Sequence, residues 1–421
     1  MSPSSSSKLA GSAAGASSYA TWIVYGAVAI YAAAFQAQLP VQPFLIKTLS
    51  DDAVTAFTSL RTFIAVLQLF GSLLSGWLID RMGARKVLLL SIGASTLSYA
   101  ITARATTLPL LYIAQIPTLF QHAVLAARAY MTTIVPVGAA RATVIGRITF
   151  AYAVGMVVGP TAGGFLAAYH VTYSAIVAAV GSAASFIIIW AYLPEASWMM
   201  IEGEGGATVA DDELPNKPKI SFESGGGYAA LLAIPGVIPA LAVKSMFYSS
   251  LAIFTSAFQL LSVEHFRLSA STLGTILSVF GATSIVGSTI VVPYVRSRMA
   301  PTPACIIAAA IFSVSLFSFS AVSTTLEIYI LTVPQAISSV LFTTINSGEM
   351  SGLVPRSLQG SLHAADMALS SGLRIVSPLL SALLISHAGV FSIGISSGSL
   401  MFFVAVLLTA GVGTAEAVKT G

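Results

Sequence analysis

Charge is scarce in this sequence. Only 8% of its 421 residues are Asp, Glu, Lys or Arg, where a soluble domain carries roughly 25%, and that shortage excludes a water-soluble globule. Cysteine is nearly absent: Cys305 stands alone in an apolar run, so no intramolecular disulfide can form. There is no HExxH, no Walker loop and no Cys and His cluster with metal-ligand spacing. Those absences argue against an enzyme and against ATP-driven pumping, and lead us to expect no cofactor and no metal. The weak alternation of ~10-residue segments that marks a membrane barrel is missing too. Residues 1–18 are Ser, Ala and Gly around Lys8; they lack the apolar core of a secretory signal and read as a disordered tail.

What the chain has instead is long apolar sequence, with a mean hydropathy of +0.89 and 56% hydrophobic residues. Uninterrupted runs of ~20 residues recur, each long enough to cross a ~30 Å hydrocarbon core at 1.5 Å per residue. Spans are predicted at 21–44, 55–79, 87–104, 108–135, 143–168, 171–193, 236–260, 270–294, 303–323, 327–353, 359–386 and 389–412. The expected fold class is therefore an all-α integral membrane protein of twelve transmembrane helices, with the lipid bilayer as its first partner.

The net charge of +4 sits in the loops, so no nucleic-acid partner is expected. Lys8, Arg81, Arg85, Lys86, Arg141, Arg147, Lys217, Lys219, Arg296, Arg298, Arg356 and Lys419 fall on one side of the spans, and only Lys47, Arg104 and Arg267 on the other. By the positive-inside rule both termini are expected in the cytoplasm. Between the sixth and seventh spans lies "PEASWMMIEGEGGATVADDELPNKPKISFESGGG", acidic and Gly-rich, which reads as a solvated linker. The domains expected are a tail at 1–18, a six-helix half at 19–194, the linker at 195–230, a second six-helix half at 231–414 and a cytoplasmic tail at 415–421.

The halves match each other. "GPTAGG" at 159–164 and "SPLLSA" at 377–382 share the order small-Pro-x-x-small-small, with 377 − 159 = 218. "DRMGARK" after the second span has a counterpart in "RSRMAPT" after the eighth, Arg298 answering Arg81 with 298 − 81 = 217. Duplicated six-helix halves are the plan of many secondary transporters.

Gly76, Asp80, Arg81, Gly83, Arg85 and Lys86, in "SGWLIDRMGARKVLLL", resemble the G-x-L-x-D-R-x-G-R-K signature of the major facilitator superfamily, placed between spans two and three and lengthened by Ala84. Gly155, Gly159, Pro160, Gly163 and Gly164, in "GMVVGPTAGG", resemble that superfamily's antiporter motif on the fifth helix, shared by proton-coupled drug exporters, and "LPVQPF" resembles the paired prolines of their first span. Over the first half, "LPLLYIAQIPTLFQHAVLAARAY" is most similar to the organic cation transporter-like branch, of the solute carrier family 22 member 18 type. The fourth-helix Arg of the drug exporters aligns nearest to Gln115, so its proton-relay role does not carry over.

The resemblance implies that Asp80 latches a cytoplasmic gate by facing the start of helix eleven, where unpaired amides carry partial positive charge. Small residues every four positions in "GMVVGPTAGG" let backbones approach closely, with Gly281, Ser284, Gly287 and Ser288 of helix eight as a matching surface. Pro160 removes a backbone bond and permits a bend. Ionisable groups inside a bilayer cost about 2.5–3.5 kcal/mol and are functional candidates: Arg61, His122, Lys244, Asp366 and Arg374. On helix eleven His363, Asp366, Ser370, Arg374, Ser377 and Ser381 share a face; helix ten repeats the device with Thr332, Gln335, Ser339, Thr343 and Asn346, helix seven with Lys244, Tyr248, Thr255 and Gln259, and on helix four Gln115 and His122 share a face. Asp366 is the leading proton-site candidate, or else a structural acid paired to Lys244 or Arg374.

The function expected is a monomeric secondary active transporter in the plasma membrane or an acidic organelle membrane, exchanging a small, cationic, drug-like organic solute for protons by alternating access. The alternative is an organic anion or metabolite carrier of the same fold, because Arg61, Lys244 and Arg374 outnumber Asp366. A non-transporting receptor or scaffold is a third reading.

Overall fold

A computed structural model describes residues 5–135, 139–195, 225–355 and 358–412. Its helices, in chain order, are α1 (Ser5–Ala37), α2 (Gln42–Leu49), α3 (Ala53–Met82), α4 (Ala84–Thr102), α5 (Leu108–Gln115), α6 (Ala123–Ile134), α7 (Ala139–Tyr169), α8 (Val171–Tyr192), α9 (Gly225–Leu232), α10 (Val237–Glu264), α11 (Ala270–Val286), α12 (Val292–Arg296), α13 (Pro301–Phe319), α14 (Thr325–Leu353), α15 (Gln359–Ala388) and α16 (Phe391–Thr409). A 3₁₀ turn joins α5 to α6 and a π turn joins α11 to α12. No strand occurs among the described residues.

Eleven helical spans among the described residues are long and apolar enough to cross a membrane. The third expected span, 87–104, is filled by α4, which is 19 residues long but rich in hydroxyls. Ser95, Thr96 and Thr102 each donate to the carbonyl one turn back, which satisfies them without a partner helix. The first span ends at Ala37 rather than at 44. Residues 38–41 form a turn around Pro40, and Pro43 then sits in the first turn of the separate helix α2, where its missing N–H costs nothing. Helix α1 begins at Ser5, inside the stretch read as a disordered tail; its Ala-rich composition favours helix. Residues 196–224 of the expected linker and the whole tail at 415–421 lie outside the described residues, and α9 begins at Gly225 within the linker's expected range.

The chain divides into two compact units, residues 1–41 with 67–221 and residues 42–66 with 222–421. The first is built on α1, α4, α6, α7 and α8, around Val24, Leu88, Ile92, Tyr130, Met131 and Ile148. The second has an aromatic core: Phe247 stacks on Phe342 at 4.8 Å between ring centroids, and Phe254 meets Phe319 edge-on at 4.8 Å. Residues 42–66, which include the first half of α3, belong to this second unit.

Within each unit the same helix pair carries the internal repeat. In the first, α7 lies along α1 so closely that a side-chain carbon on Gly155, Gly159 or Gly163 would collide with Ala32, Ala33 or Ala37; at Gly159 it would stand 2.5 Å from the Ala33 carbonyl oxygen. In the second, α15 lies along α10, and Ser381 donates to the Ile253 carbonyl at 2.9 Å. Gly159 and Ser377, and Gly163 and Ser381, are 218 residues apart (377 − 159, 381 − 163). One half uses glycine to bring a carbonyl close and the other uses serine to bond one. Pro160 lies inside an uninterrupted α7.

The fourth span is broken. Pro117 removes an amide, residues Ile116–Phe120 wind as 3₁₀, and Gln121 (ψ 56°) and His122 (φ −116°, ψ 40°) leave the helical region before α6 resumes at Ala123. Gly71 of α3 packs against this break, where any side-chain carbon would strike the Leu119 carbonyl and stand 2.8 Å from His122 Nε2. Non-helical backbone at membrane depth persists only where protein or a polar cavity covers it, and here Gly71 lets α3 provide the cover.

Candidate functional site

The second unit gathers most of the ionisable residues expected inside the membrane. Lys244, two turns into α10, is 3% exposed. Its Nζ donates to Asp366 Oδ2 of α15 at 2.8 Å and to Ser347 Oγ of α14 at 2.9 Å, and lies 5.7 Å from the centre of the Tyr248 ring. Asp366 is the more open partner, with 18% of its side chain exposed against 4% for Lys244. Burying two charges is compensated only by close geometry and extra hydrogen bonds, while removing one partner of such a pair typically costs about 3–5 kcal/mol.

Further along the same helices the polar residues continue. Arg61, on the part of α3 that belongs to this unit, donates to Gln259 Oε1 of α10 at 2.7 Å and to Gln42 Oε1 of α2 at 3.3 Å, and lies over the Phe57 ring at 5.6 Å. Lys47 and Glu264 pair beyond it at 2.9 Å, in the open. Arg374 of α15 is exposed and makes no hydrogen bond or ion pair among the described residues. The eight residues from Asp366 to Arg374 span ~12 Å of helix, so Asp366 serves Lys244 and not Arg374. Of the ionisable residues expected inside the membrane, three cations and one acid fall in this unit, and the acid is already engaged.

The remaining expected residues are dispersed. His363 is exposed and has no side-chain partner among the described residues. Gln335 and Asn346 are each 3% exposed on α14. The hydroxyls of that stripe, Thr332, Ser339 and Thr343, bond carbonyls of their own helix, and Asn346 Oδ1 is buried without a partner. Gln115 is buried, and His122 lies beyond the break, so their seven-residue spacing no longer puts them on one helical face.

In the signature loop, Gly83 holds φ +85° as the cap of α4, a backbone region that disfavours any side chain. Arg85 donates to the carbonyls of Trp190 and Leu193 at the end of α8 and lies 3.8 Å from Glu195; a cation there offsets the partial negative charge of a helix C-terminus. Arg81 lies over the Trp77 ring. Asp80 and Lys86 are exposed, and Asp80 has no side-chain hydrogen bond or ion pair among the described residues. Gly76 has open space where a side chain would go.

Along α7, Gly155, Gly159 and Gly163 face α1, and Gly164 and Pro160 are buried beside them. Gly287, expected on a matching surface of helix eight, packs instead on Ile337 and Val340 of α14. Sequence reasoning passed over Ser347, Gln42 and Gly71. Ser347 lies one position off the helix-ten stripe, Gln42 sits in the turn-helix that "LPVQPF" forms, and Gly71 carries no signal beyond being a glycine in an apolar run.

A profile of the Major Facilitator Superfamily matches residues 14–365. Human Solute carrier family 67 member A1 is 29% identical over 267 residues, covering 62% of this chain and 61% of that one. Solute carrier family 22 member 18 of Mus musculus is 30% identical over 254 residues, covering 58% and 59%. The matched region thus spans about three fifths of these relatives' lengths. The class C Tetracycline resistance protein of Escherichia coli is 28% identical over 262 residues, covering 62% and 63%. Among solved structures, that of the human organic anion transporter MFSD10 (TETRAN) superposes with a TM-score of 0.65 at 16% identity, covering 93% of this chain and 99% of that one.

Proposed function

We propose a function for a chain that belongs to the Major Facilitator Superfamily: it is a gradient-driven secondary transporter whose solute is a small organic molecule bearing an anionic group. The observation that carries this reading is the charge balance of the second unit. Asp366 is taken up by Lys244, which leaves Arg61 held by two neutral glutamines and Arg374 without an acid. An arginine exposed inside a membrane protein without a counter-charge is costly to keep, and an anionic solute would supply that charge. Arg374 and Arg61 together supply the positive field that would draw it in.

A second reading, exchange of a cationic drug-like solute for protons, draws on the similarity to the tetracycline resistance protein and on the glycine seam of α7. It would require Asp366 to leave Lys244 in order to bind the cation. Under either reading transport proceeds by alternating access, with Asp80 latching one gate and both termini in the cytoplasm.

The test is thermal stability in detergent with p-aminohippurate, an organic anion, and tetraethylammonium, an organic cation, since a ligand raises the melting temperature of the state it binds. The anion should stabilise the wild type and have at least tenfold weaker effect on Arg374→Gln. Stabilisation by the cation alone would reject the anionic reading.

A further inference from the structure

We propose that Lys244 and Ser347 form a receptor for a carboxylate, that Asp366 is its built-in occupant, and that Asp366 gives the site up to the solute's carboxylate by taking a proton. This rests on the anion-carrier reading and adds the coupling rule to it.

The geometry has the parts of a carboxylate site. Lys244 Nζ points at Asp366 Oδ2 and is steadied by Ser347 Oγ, with the Tyr248 ring centroid 5.7 Å from the same nitrogen. Charge-assisted N–H···O contacts of this length are the strong ones. The two partners are unequally placed: the ammonium is enclosed, while the carboxylate is the side that reaches open space. A molecule approaching from that side meets Asp366 first and can take its place without exposing Lys244.

The titratable and charged groups around the pair are few. Helix α10 presents Lys244 and Tyr248, and α15 itself carries His363 and Arg374. Helix α14 contributes Ser347 to the pair, its Glu349 being engaged with Arg296. Of the other helices packed on α15, α16 has no ionisable residue and α9 has only Tyr228. Among the described residues, no second acid is at hand to replace Asp366.

The exchange follows from charge conservation. A proton from solution binds the Asp366 carboxylate; Lys244 keeps its own proton and remains a buried cation. That cation now needs another anion, and only a solute carboxylate satisfies it, since a neutral solute would leave the charge unpaired. Proton and carboxylate then cross together. On the far side the proton leaves, Asp366 returns to Lys244, and the solute is expelled. One proton accompanies each carboxylate in the same direction, so a pH gradient drives anion accumulation on the alkaline side.

The site can be tested without knowing the natural solute, using sodium acetate as the probe in detergent. Acetate should raise the melting temperature of Asp366→Ala by several degrees, saturably, by filling the place of the missing carboxylate, while chloride at equal ionic strength should not. The double variant Lys244→Ala with Asp366→Ala should show no acetate response. The wild type supplies a second test: acetate should stabilise it more strongly at pH 5.5 than at pH 8, and in Asp366→Asn that difference should vanish. Equal responses to acetate and chloride, an acetate response surviving in the double variant, or a wild-type response that does not depend on pH would overturn the proposal. An acetate response as expected, combined with no effect of p-aminohippurate, would leave the carboxylate site standing and remove the anion-carrier reading; p-aminohippurate binding without any acetate response would do the reverse.

Discussion

Arg81 lies over the ring of Trp77, 4.4 Å from its centroid, and Arg298 lies over Tyr294 at the same 4.4 Å. The two pairs are related by 217 residues (294 − 77, 298 − 81), so the duplication has kept a contact as well as a motif. Both rings are half exposed, where a cation–π pair contributes roughly 0.5–1 kcal/mol. Trp77→Ala and Tyr294→Ala should each lower the melting temperature by only a few degrees, and the effects should add, because the pairs share no partner. A collapse of folding in either variant would show that these pairs carry more than surface stabilisation.

The glycines of the chain separate into two kinds. At Gly159 and Gly163 an added carbon meets the backbone of α1, and such overpacking costs at least ~1–3 kcal/mol. Gly163→Val should fail to accumulate as folded protein, and Gly159→Ala should fold with a reduced melting temperature. At Gly76 nothing stands within 4 Å, so Gly76→Ala should melt like the wild type. Size-exclusion profiles and thermal melts in detergent decide both cases.

Asp80 separates stability from transport. It is exposed and makes no side-chain bond among the described residues, so Asp80→Asn should leave the melting temperature unchanged. If it latches a helix N-terminus in another conformation, losing the charge shifts the gate by up to about 1 kcal/mol, a factor of ~5 in population, and uptake falls accordingly. Unchanged uptake, with unchanged accessibility of a reporter cysteine, would remove the latch.

How much of this was legible in the sequence varies with the kind of force involved. The spans were, because a ~30 Å apolar layer demands length and hydropathy that show directly in composition: Val237–Glu264 and Thr325–Leu353 fall within a few residues of their expected places. The Gln121–His122 break was not, since Pro117 is compatible with a kinked helix as well as with a 3₁₀ turn. Helical spacing places residues on faces without saying which faces meet. That is why Asp366 had two candidate partners until Lys244 was found at 2.8 Å. For the same reason the partner of the α7 glycines was expected on helix eight, whereas Ala32, Ala33 and Ala37 of α1, equally small, take that place.

The Lys244–Asp366 pair gives a stability prediction of its own. Lys244→Met leaves a carboxylate without its counter-charge, and Asp366→Leu leaves an enclosed ammonium; each should cost about 3–5 kcal/mol. Combining them removes both charges, and the double variant should recover most of the lost melting temperature while remaining inactive in transport. Additive destabilisation would show that the pair is held by its surroundings rather than by mutual attraction.

The most direct measurement is uptake into proteoliposomes of radiolabelled p-aminohippurate and of radiolabelled tetraethylammonium, each with and without an imposed pH gradient. The account predicts that the anion accumulates inside when the interior is alkaline, that Asp366→Asn abolishes the gradient dependence, that Arg374→Gln reduces uptake at least tenfold, and that the cation is not moved. Gradient-driven accumulation of tetraethylammonium on the acidic side, with no anion flux, would contradict it.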